Sequence, residues 1–161
     1  MKKICIKTPL GNTIIEGDEA GISTIRVLDD DVSNGNTNTH DIPATLMDCS
    51  IQLQEYFKGE RTEFNLKLNP SGTSFQKKVW QSLQEIPYGN TISYLDLSKR
   101  LGDVKAIRAV ASANGKNPLW IVVPCHRVIG TDGSLTGYAG GLWRKKWLLD
   151  HENPPSQQSL F

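Results

Sequence analysis

The sequence predicts an α/β N-terminal domain, a small antiparallel sheet plus a helix, followed by a mostly α-helical C-terminal domain with a helix-turn-helix. Three observations carry this. Apolar residues alternate early in the chain, as in half-buried strands. The period lengthens to that of a helix after Asn69-Pro70-Ser71-Gly72, a turn-rich stretch dividing the chain into domains 1–70 and 71–161. Two short helical segments then flank Gly102.

The elements follow in order. Ile4 and Ile6 share one strand face, Thr13-Ile14-Ile15 follows the Leu10-Gly11-Asn12 turn, and Ile22 to Leu28 completes a meander. Asp29 to Pro43 is rich in Asn, Asp and Thr and has little to bury, which predicts an exposed, mobile loop. Leu46, Cys49, Leu53 and Phe57 recur at helical spacing up to Gly59, and Phe64, Leu66 and Leu68 alternate as a last strand. Beyond the linker, Phe75, Val79, Leu83 and Ile86 form a helical stripe behind an N-cap at Thr73 or Ser74, stopped by Pro87-Tyr88-Gly89. Ser93-Tyr94-Leu95-Asp96 has a capping-box pattern opening a helix that ends at Gly102. Asp103 caps a second helix from Val104 to about Asn114, so a helix-turn-helix spans about 92–114. Leu119 to Val123 has the character of a buried strand, and Pro124 turns the chain. The final helix, Leu142 to about His151, carries Trp143, Trp147 and Leu148 on one side, a pattern more typical of core than of a stacking platform.

Composition bounds the function. No apolar run reaches the roughly 20 residues of a membrane span, and the start lacks a secretory signal pattern, so the expected location is the cytoplasm, or the nucleus in a eukaryote. Cys5, Cys49 and Cys125 are odd in number and lack zinc-site spacing, which argues against a disulfide framework and a structural metal. The net charge of +1 is unevenly divided: residues 1–70 carry seven Lys/Arg against eleven Asp/Glu, residues 71–161 eleven against six. The second half is the candidate for a polyanionic partner.

Two features carry chemistry. The second helix of the helix-turn-helix, Lys105 to Asn114, is rich in Ala with one Arg near its start; small side chains permit close approach to DNA, or simply favour helix and packing. Val122-Val123-Pro124-Cys125-His126-Arg127 sets a thiol beside an imidazole and a guanidinium. In an extended strand Cys125 and His126 face opposite ways, so cooperation requires a bend or a bridging water. A neighbouring imidazole, or a cation such as Arg127, would enrich a reactive thiolate; the alternative is a buried small hydrophobe, the reading for Cys5 and Cys49. Downstream, residues 130–141 hold five glycines without P-loop spacing, a loop suited to close backbone approach to a ligand. Glu152 gains nothing from the dipole at a helix C-terminus, and orienting a histidine would explain its presence.

Pro124-Cys125-His126-Arg127-Val128, with Arg108-Ala109-Val110, Asn117-Pro118, Gly137-Tyr138-Ala139-Gly140-Gly141, Trp147-Leu148-Leu149 and His151-Glu152, resembles the O6-alkylguanine-DNA alkyltransferases, or methylated-DNA–protein-cysteine methyltransferases. The likeness covers about 73–152; residues 1–70 fit that family's RNase H-like N-terminal domain by element order. The resemblance implies that Cys125 accepts the alkyl group from guanine O6 irreversibly, once per molecule, with O4-alkylthymine a second candidate substrate. It implies that His126 is the base acting through a water and Glu152 the carboxylate orienting it. Asn117 would tie the recognition helix to the active-site segment 117–141, and Tyr94 would help rotate the nucleotide and hydrogen-bond the purine. Arg108 would fill the gap left by the extruded base. Ala109, Ala111, Ser112 and Ala113, with Asn114 and Lys116, would meet the DNA in its minor groove, where little sequence discrimination is available. Trp120, Val128, Tyr138, Ala139 and Gly140 would form the substrate pocket. Ala139 stands where some members have serine, keeping a backbone donor but losing a hydroxyl; Trp120, where some have proline, narrows the expected range of alkyl groups.

The expected partner is double-stranded DNA carrying O6-alkylguanine, with no cofactor, no metal, no membrane and no obligate protein partner. The rival readings are a non-catalytic alkylated-DNA-binding protein, whose relatives carry tryptophan where this chain has Cys125; a helix-turn-helix regulator, which would need base-edge readers where this helix offers Ala; and a thiol hydrolase.

Overall fold

The computed structural model describes residues 1–29, 42–138 and 140–154. It divides into two compact units, one of Met1–Ser71 with Pro118–Trp120, the other of Gly72–Asn117 with the residues after Trp120. Among the described residues no helix is long and apolar enough to cross a membrane.

In the first unit, β1 (Lys2–Thr8), β2 (Gly11–Asp18) and β3 (Gly21–Val27) form an antiparallel meander in the order β1-β2-β3. Alternation sets the register: Ile4 pairs with Ile15 and Ile15 with Ile25, and all three are buried. α1 (Ala44–Phe57) buries Leu46, Cys49, Leu53 and Tyr56. The sequence stripe ended on Phe57; the structure buries Tyr56 instead, while Phe57 sits edge-on to it at 5.4 Å. Cys49 is fully buried, and desolvation pushes its thiol up to about 12, as befits a packing residue. The strand expected over Phe64–Leu68 is a correction: only a single parallel bridge, Ile22 to Leu68, forms, and the Asn65 backbone bonds instead to the Gln52 side chain through both its N–H and its C=O. The loop expected over 29–43 lies largely outside the described residues.

In the second unit, α2 (Ser74–Leu83) starts at Thr73 with a complete capping box: the Gln76 N–H donates to Thr73 Oγ1 at 3.1 Å, and the Thr73 N–H to Gln76 Oε1 at 2.9 Å. Its buried face is Val79, Trp80 and Leu83, with Phe75 left 38% exposed. Thr73→Ala is expected to cost about 1 kcal/mol in urea unfolding; an unchanged midpoint would show the cap to be ornamental.

β4 (Ile92–Ser93) pairs in parallel with β5 (Val128–Ile129) and leads into α3 (Tyr94–Arg100), capped by Ser93 Oγ on the Asp96 N–H. Gly102, at φ +89°, makes the tight turn that a side chain would strain. The next helix begins as a 3₁₀ turn, Val104–Ala106, and becomes α-helical as α4 (Ile107–Gly115). Asp103 caps the 3₁₀ turn through the Lys105 N–H. α5 (Leu142–Glu152) follows Gly141, which holds φ +93°. Its buried face is Arg144, Lys145, Leu148 and Glu152. Trp143 is 57% exposed, correcting the expectation that it is core, and Trp147 stacks on His151.

Candidate active site

The run Leu119–Val123 is buried but is not a strand. Leu119 makes one bridge to Ile25, after which the chain turns through Ile121 at φ +71°. A β-branched residue in this left-handed region costs about 1–3 kcal/mol, and such strain is retained where the surrounding structure over-determines it. Pro124, at φ −82° and ψ 65°, is the centre of an inverse γ-turn closed by the Cys125 N–H on Val123 O at 2.8 Å. Cys125–Arg127 then form a 3₁₀ turn. This is the bend that cooperation between Cys125 and His126 required.

His126 is fully buried, and its Nε2 lies 2.7 Å from Glu152 Oε2 at the end of α5. Its Nδ1 has no hydrogen-bond partner among the described residues. Glu152 also receives Arg127 in a two-pronged pair, Nε to Oε1 at 2.8 Å and Nη2 to Oε2 at 3.0 Å. Arg127 Nη1 donates to Ile86 O at 2.7 Å, and its guanidinium lies over the Tyr88 ring. Burial lowers the His126 imidazole below its ordinary value against the opposing pull of Glu152, which leaves it a neutral base near pH 7. Burial alone would raise Glu152, but hydrogen bonds and charge from His126 and Arg127 hold it well below the usual carboxylate range.

Cys125 is 8% exposed. Burial pushes its thiol up, while the Asn117 side chain, the Lys145 charge and Tyr138 pull it down. The sequence suggested Arg127 as the cation beside this thiol. Arg127 is instead committed to Glu152, and the cation acting on Cys125 is Lys145, which sequence reasoning missed. Arg144-Lys145-Lys146 reads as a solvated basic run, yet Lys145 is fully buried and only Lys146 is exposed. Its spacing of three from Leu148 and seven from Glu152 was the available signal.

Asn117 Nδ2 donates to Val123 O at 2.7 Å, linking the residues just after α4 to the active-site turn. Tyr94, at the start of α3, is pushed above the ordinary phenol value by burial, with hydrogen bonds from Thr136 and Asn114 opposing, and so remains a donor. An open cavity of about 660 Å³ is lined by Tyr94 and Tyr138, by Ile107, Arg108, Ala111 and Gly115 of α4, and by Thr131, Thr136 and Gly137 of the glycine-rich loop. Of the two tyrosines on this cavity, Tyr138 lowers the Cys125 thiol through a side-chain hydrogen bond, and the Cys125 charge raises the Tyr94 phenol.

The DNA-facing set separates by helical face. Arg108, Ala109, Ser112 and Lys116 are exposed and Ala111 is partly so. Ala113 and Asn114 are each 2% exposed, which corrects their assignment to the DNA surface. They lie on the inward stripe with Val110: Ala113 O accepts from Trp80 Nε1 at 2.8 Å, and Asn114 Nδ2 reaches Cys125 O at 3.4 Å and the Tyr94 hydroxyl at 3.5 Å. Trp120 belongs to the first unit, its ring 6.2 Å from that of Phe57. Val128 is fully buried, with its carbonyl accepting from Lys145; Gly140 accepts from Arg144 Nη1; Ala139 lies outside the described residues. Among the described residues no group of three or more His, Cys, Asp or Glu could hold a metal ion.

Residues 74–154 match the family described as 6-O-methylguanine DNA methyltransferase, DNA binding domain, and residues 1–70 match its ribonuclease-like domain. Similar proteins include the methylated-DNA–protein-cysteine methyltransferase of Mycolicibacterium paratuberculosis, 43% identical over 97% of this chain and 96% of that one. The constitutive methylated-DNA–protein-cysteine methyltransferase of Bacillus subtilis is 48% identical over 91% of this chain and 92% of its own. Among solved structures, Mycobacterium tuberculosis OGT in complex with DNA aligns with a TM-score of 0.81 at 43% identity, over 92% of this chain and 90% of that one.

Proposed function

The chain belongs to the methylated-DNA–protein-cysteine methyltransferase family, and from that premise we propose that it repairs duplex DNA by moving the alkyl group of O6-alkylguanine onto Cys125. The observation that carries this is one arrangement: a recessed thiol hydrogen-bonded by Tyr138, next in the chain to a His126 held by Glu152, with Tyr138 and the exposed Arg108 of α4 lining one cavity.

The O6 substituent lies within the base stack, so the nucleotide must leave the duplex, at a cost of a few kcal/mol, to meet a thiol this recessed. Arg108 fills the vacated space. Ala109, Ala111 and Ser112 let α4 approach the minor groove closely, and Lys116 adds phosphate attraction. Tyr94 and Tyr138 flank the extruded base. His126 Nδ1 takes the thiol proton through a water, and Glu152 accepts from Nε2–H, fixing the tautomer that leaves Nδ1 free to accept. The thiolate attacks the alkyl carbon; the S–C bond forms as the C–O6 bond breaks, and the electron pair left on guanine is protonated. The thioether is stable, so each molecule acts once. Residues 71–161 perform binding and transfer, residues 1–70 serve as a structural domain, and the setting is the cytoplasm.

The test is intact mass after incubation with duplex containing O6-methylguanine. The expected result is a gain of one methyl per protein, absent in Cys125→Ser. Turnover of a reporter ester without mass gain would favour a thiol hydrolase instead.

A further inference from the structure

We propose that Asn114 is a positioning residue for alkyl transfer: its buried amide, shared between Tyr94 and Cys125, leaves the Tyr94 O–H to donate to a ring nitrogen of the captured base. The inference rests on the repair reading above and assigns to it a residue that does not itself touch DNA.

Asn114 is 2% exposed on the inward stripe of α4, in the same helix as the exposed Arg108. Its Nδ2 donates to Cys125 O at 3.4 Å and to the Tyr94 hydroxyl oxygen at 3.5 Å, so one amide touches both the start of α3 and the active-site turn. The carbonyl fixes which way the amide faces. A flipped side chain would set Oδ1 against Cys125 O, acceptor against acceptor. Tyr94 therefore receives a proton from Asn114 and has its own to give. Its other neighbour, Thr136, does not decide this, since a hydroxyl both donates and accepts.

Stability does not explain the amide. Hydrogen bonds this long add little. Cys125 O already accepts from the Val128 N–H, and Asn114 Oδ1 has no hydrogen-bond partner among the described residues, which at a buried site is a cost. An apolar side chain would serve the core at least as well. What the amide supplies is polarity, at a tyrosine that lines the cavity together with Arg108. Alkylation at O6 removes the N1 proton of guanine, so N1, N3 and N7 are all acceptors, and a hydroxyl held as a donor matches each of them. Without Asn114, Tyr94 can turn its proton to Thr136 and meet the base acceptor to acceptor.

Single-turnover methyl transfer from O6-methylguanine duplex and from free O6-methylguanine is measured for the full chain, Asn114→Ala, Tyr94→Phe and the double variant. Asn114→Ala is expected to slow both substrates about tenfold, the equivalent of about 1.4 kcal/mol. In the Tyr94→Phe background the same substitution should change the rate by less than about twofold, because the hydroxyl through which it acts is gone. Carboxamidomethylation of Cys125 by iodoacetamide should keep its wild-type rate in Asn114→Ala, which a displaced active-site turn would not allow. A wild-type transfer rate in Asn114→Ala, losses that multiply in the double variant, a loss confined to duplex, or a slowed iodoacetamide reaction overturns the proposal. Should Asn114→Ala not fold, Asn114→Ser enters the same cycle with the same expected outcomes. Absence of methyl gain at Cys125 in the unsubstituted chain would refute the repair assignment itself, a separate readout from the cycle.

Discussion

Glu152→Ala is expected to slow alkyl transfer on the order of 10²–10⁴-fold and to destabilise the chain by about 3–5 kcal/mol. Both effects come from one carboxylate serving two buried partners. Its Oε2 holds His126 Nε2 at 2.7 Å, and both oxygens hold Arg127. Removal leaves the 6%-exposed Arg127 as a buried charge whose strongest remaining hydrogen bond goes to Ile86 O, the costly half of a broken pair. It also leaves His126 without the acceptor that sets its tautomer. Glu152→Gln separates the two effects: an amide oxygen can still accept from one partner, so part of the stability returns, but the imidazolium loses its counter-charge and transfer stays slow. Because the folded carboxyl is held below its unfolded value, its contribution is complete above about pH 4.3 and is lost as pH falls further toward the folded value. Acid should therefore erode the wild-type chain more steeply than Glu152→Gln below about pH 4.3. Urea unfolding and single-turnover rates measure all of this; an alanine variant within about 1 kcal/mol of wild type that transfers at the wild-type rate would dismiss the network.

The residues of this network differ in how far the sequence disclosed them. The meander, the Thr73 cap and the helix-turn-helix were readable because strand alternation, capping and a glycine turn depend on neighbours along the chain. The Cys125, His126 and Glu152 constellation was readable from its motif. What the sequence concealed depends on burial set by tertiary packing. Leu119–Val123 has the composition of a strand, yet only Leu119 makes a bridge and the backbone turns to φ +71° at Ile121, a conformation a β-branched residue does not advertise. Asn114 and Ala113 fit an exposed recognition face until the actual phase of α4 turns them inward with Val110. Lys145 could be separated from Arg144 and Lys146 only by knowing which stripe of α5 faces β5 and the loop. Arg127 was seen as a charge near the thiol, and a side chain's direction from a 3₁₀ turn is invisible to composition.

Arg108→Ala is expected to lower the rate of transfer from duplex DNA about 10²-fold while leaving transfer from a free O6-alkylguanine base nearly unchanged. The reason lies in where the side chain sits. Arg108 is exposed in the first turn of α4 and lines the cavity, and among the described residues it makes no hydrogen bond or ion pair. Its removal should therefore change stability by less than about 0.5 kcal/mol. In the proposed wedge role its contribution arises only when a base has left the stack and a gap remains to be filled. Extrusion costs a few kcal/mol, and each 1.4 kcal/mol of lost compensation slows the reaction about tenfold, so losing most of one wedge's contribution corresponds to about 10². A free base needs no extrusion, and a single strand needs less, so the loss should decline from duplex to single strand to free base. Lys116→Ala should behave differently, weakening duplex binding in a salt-dependent way without that ordering. If Arg108→Ala slows the free base as much as the duplex, the arginine acts on the chemistry or on the pocket, and the wedge role is wrong.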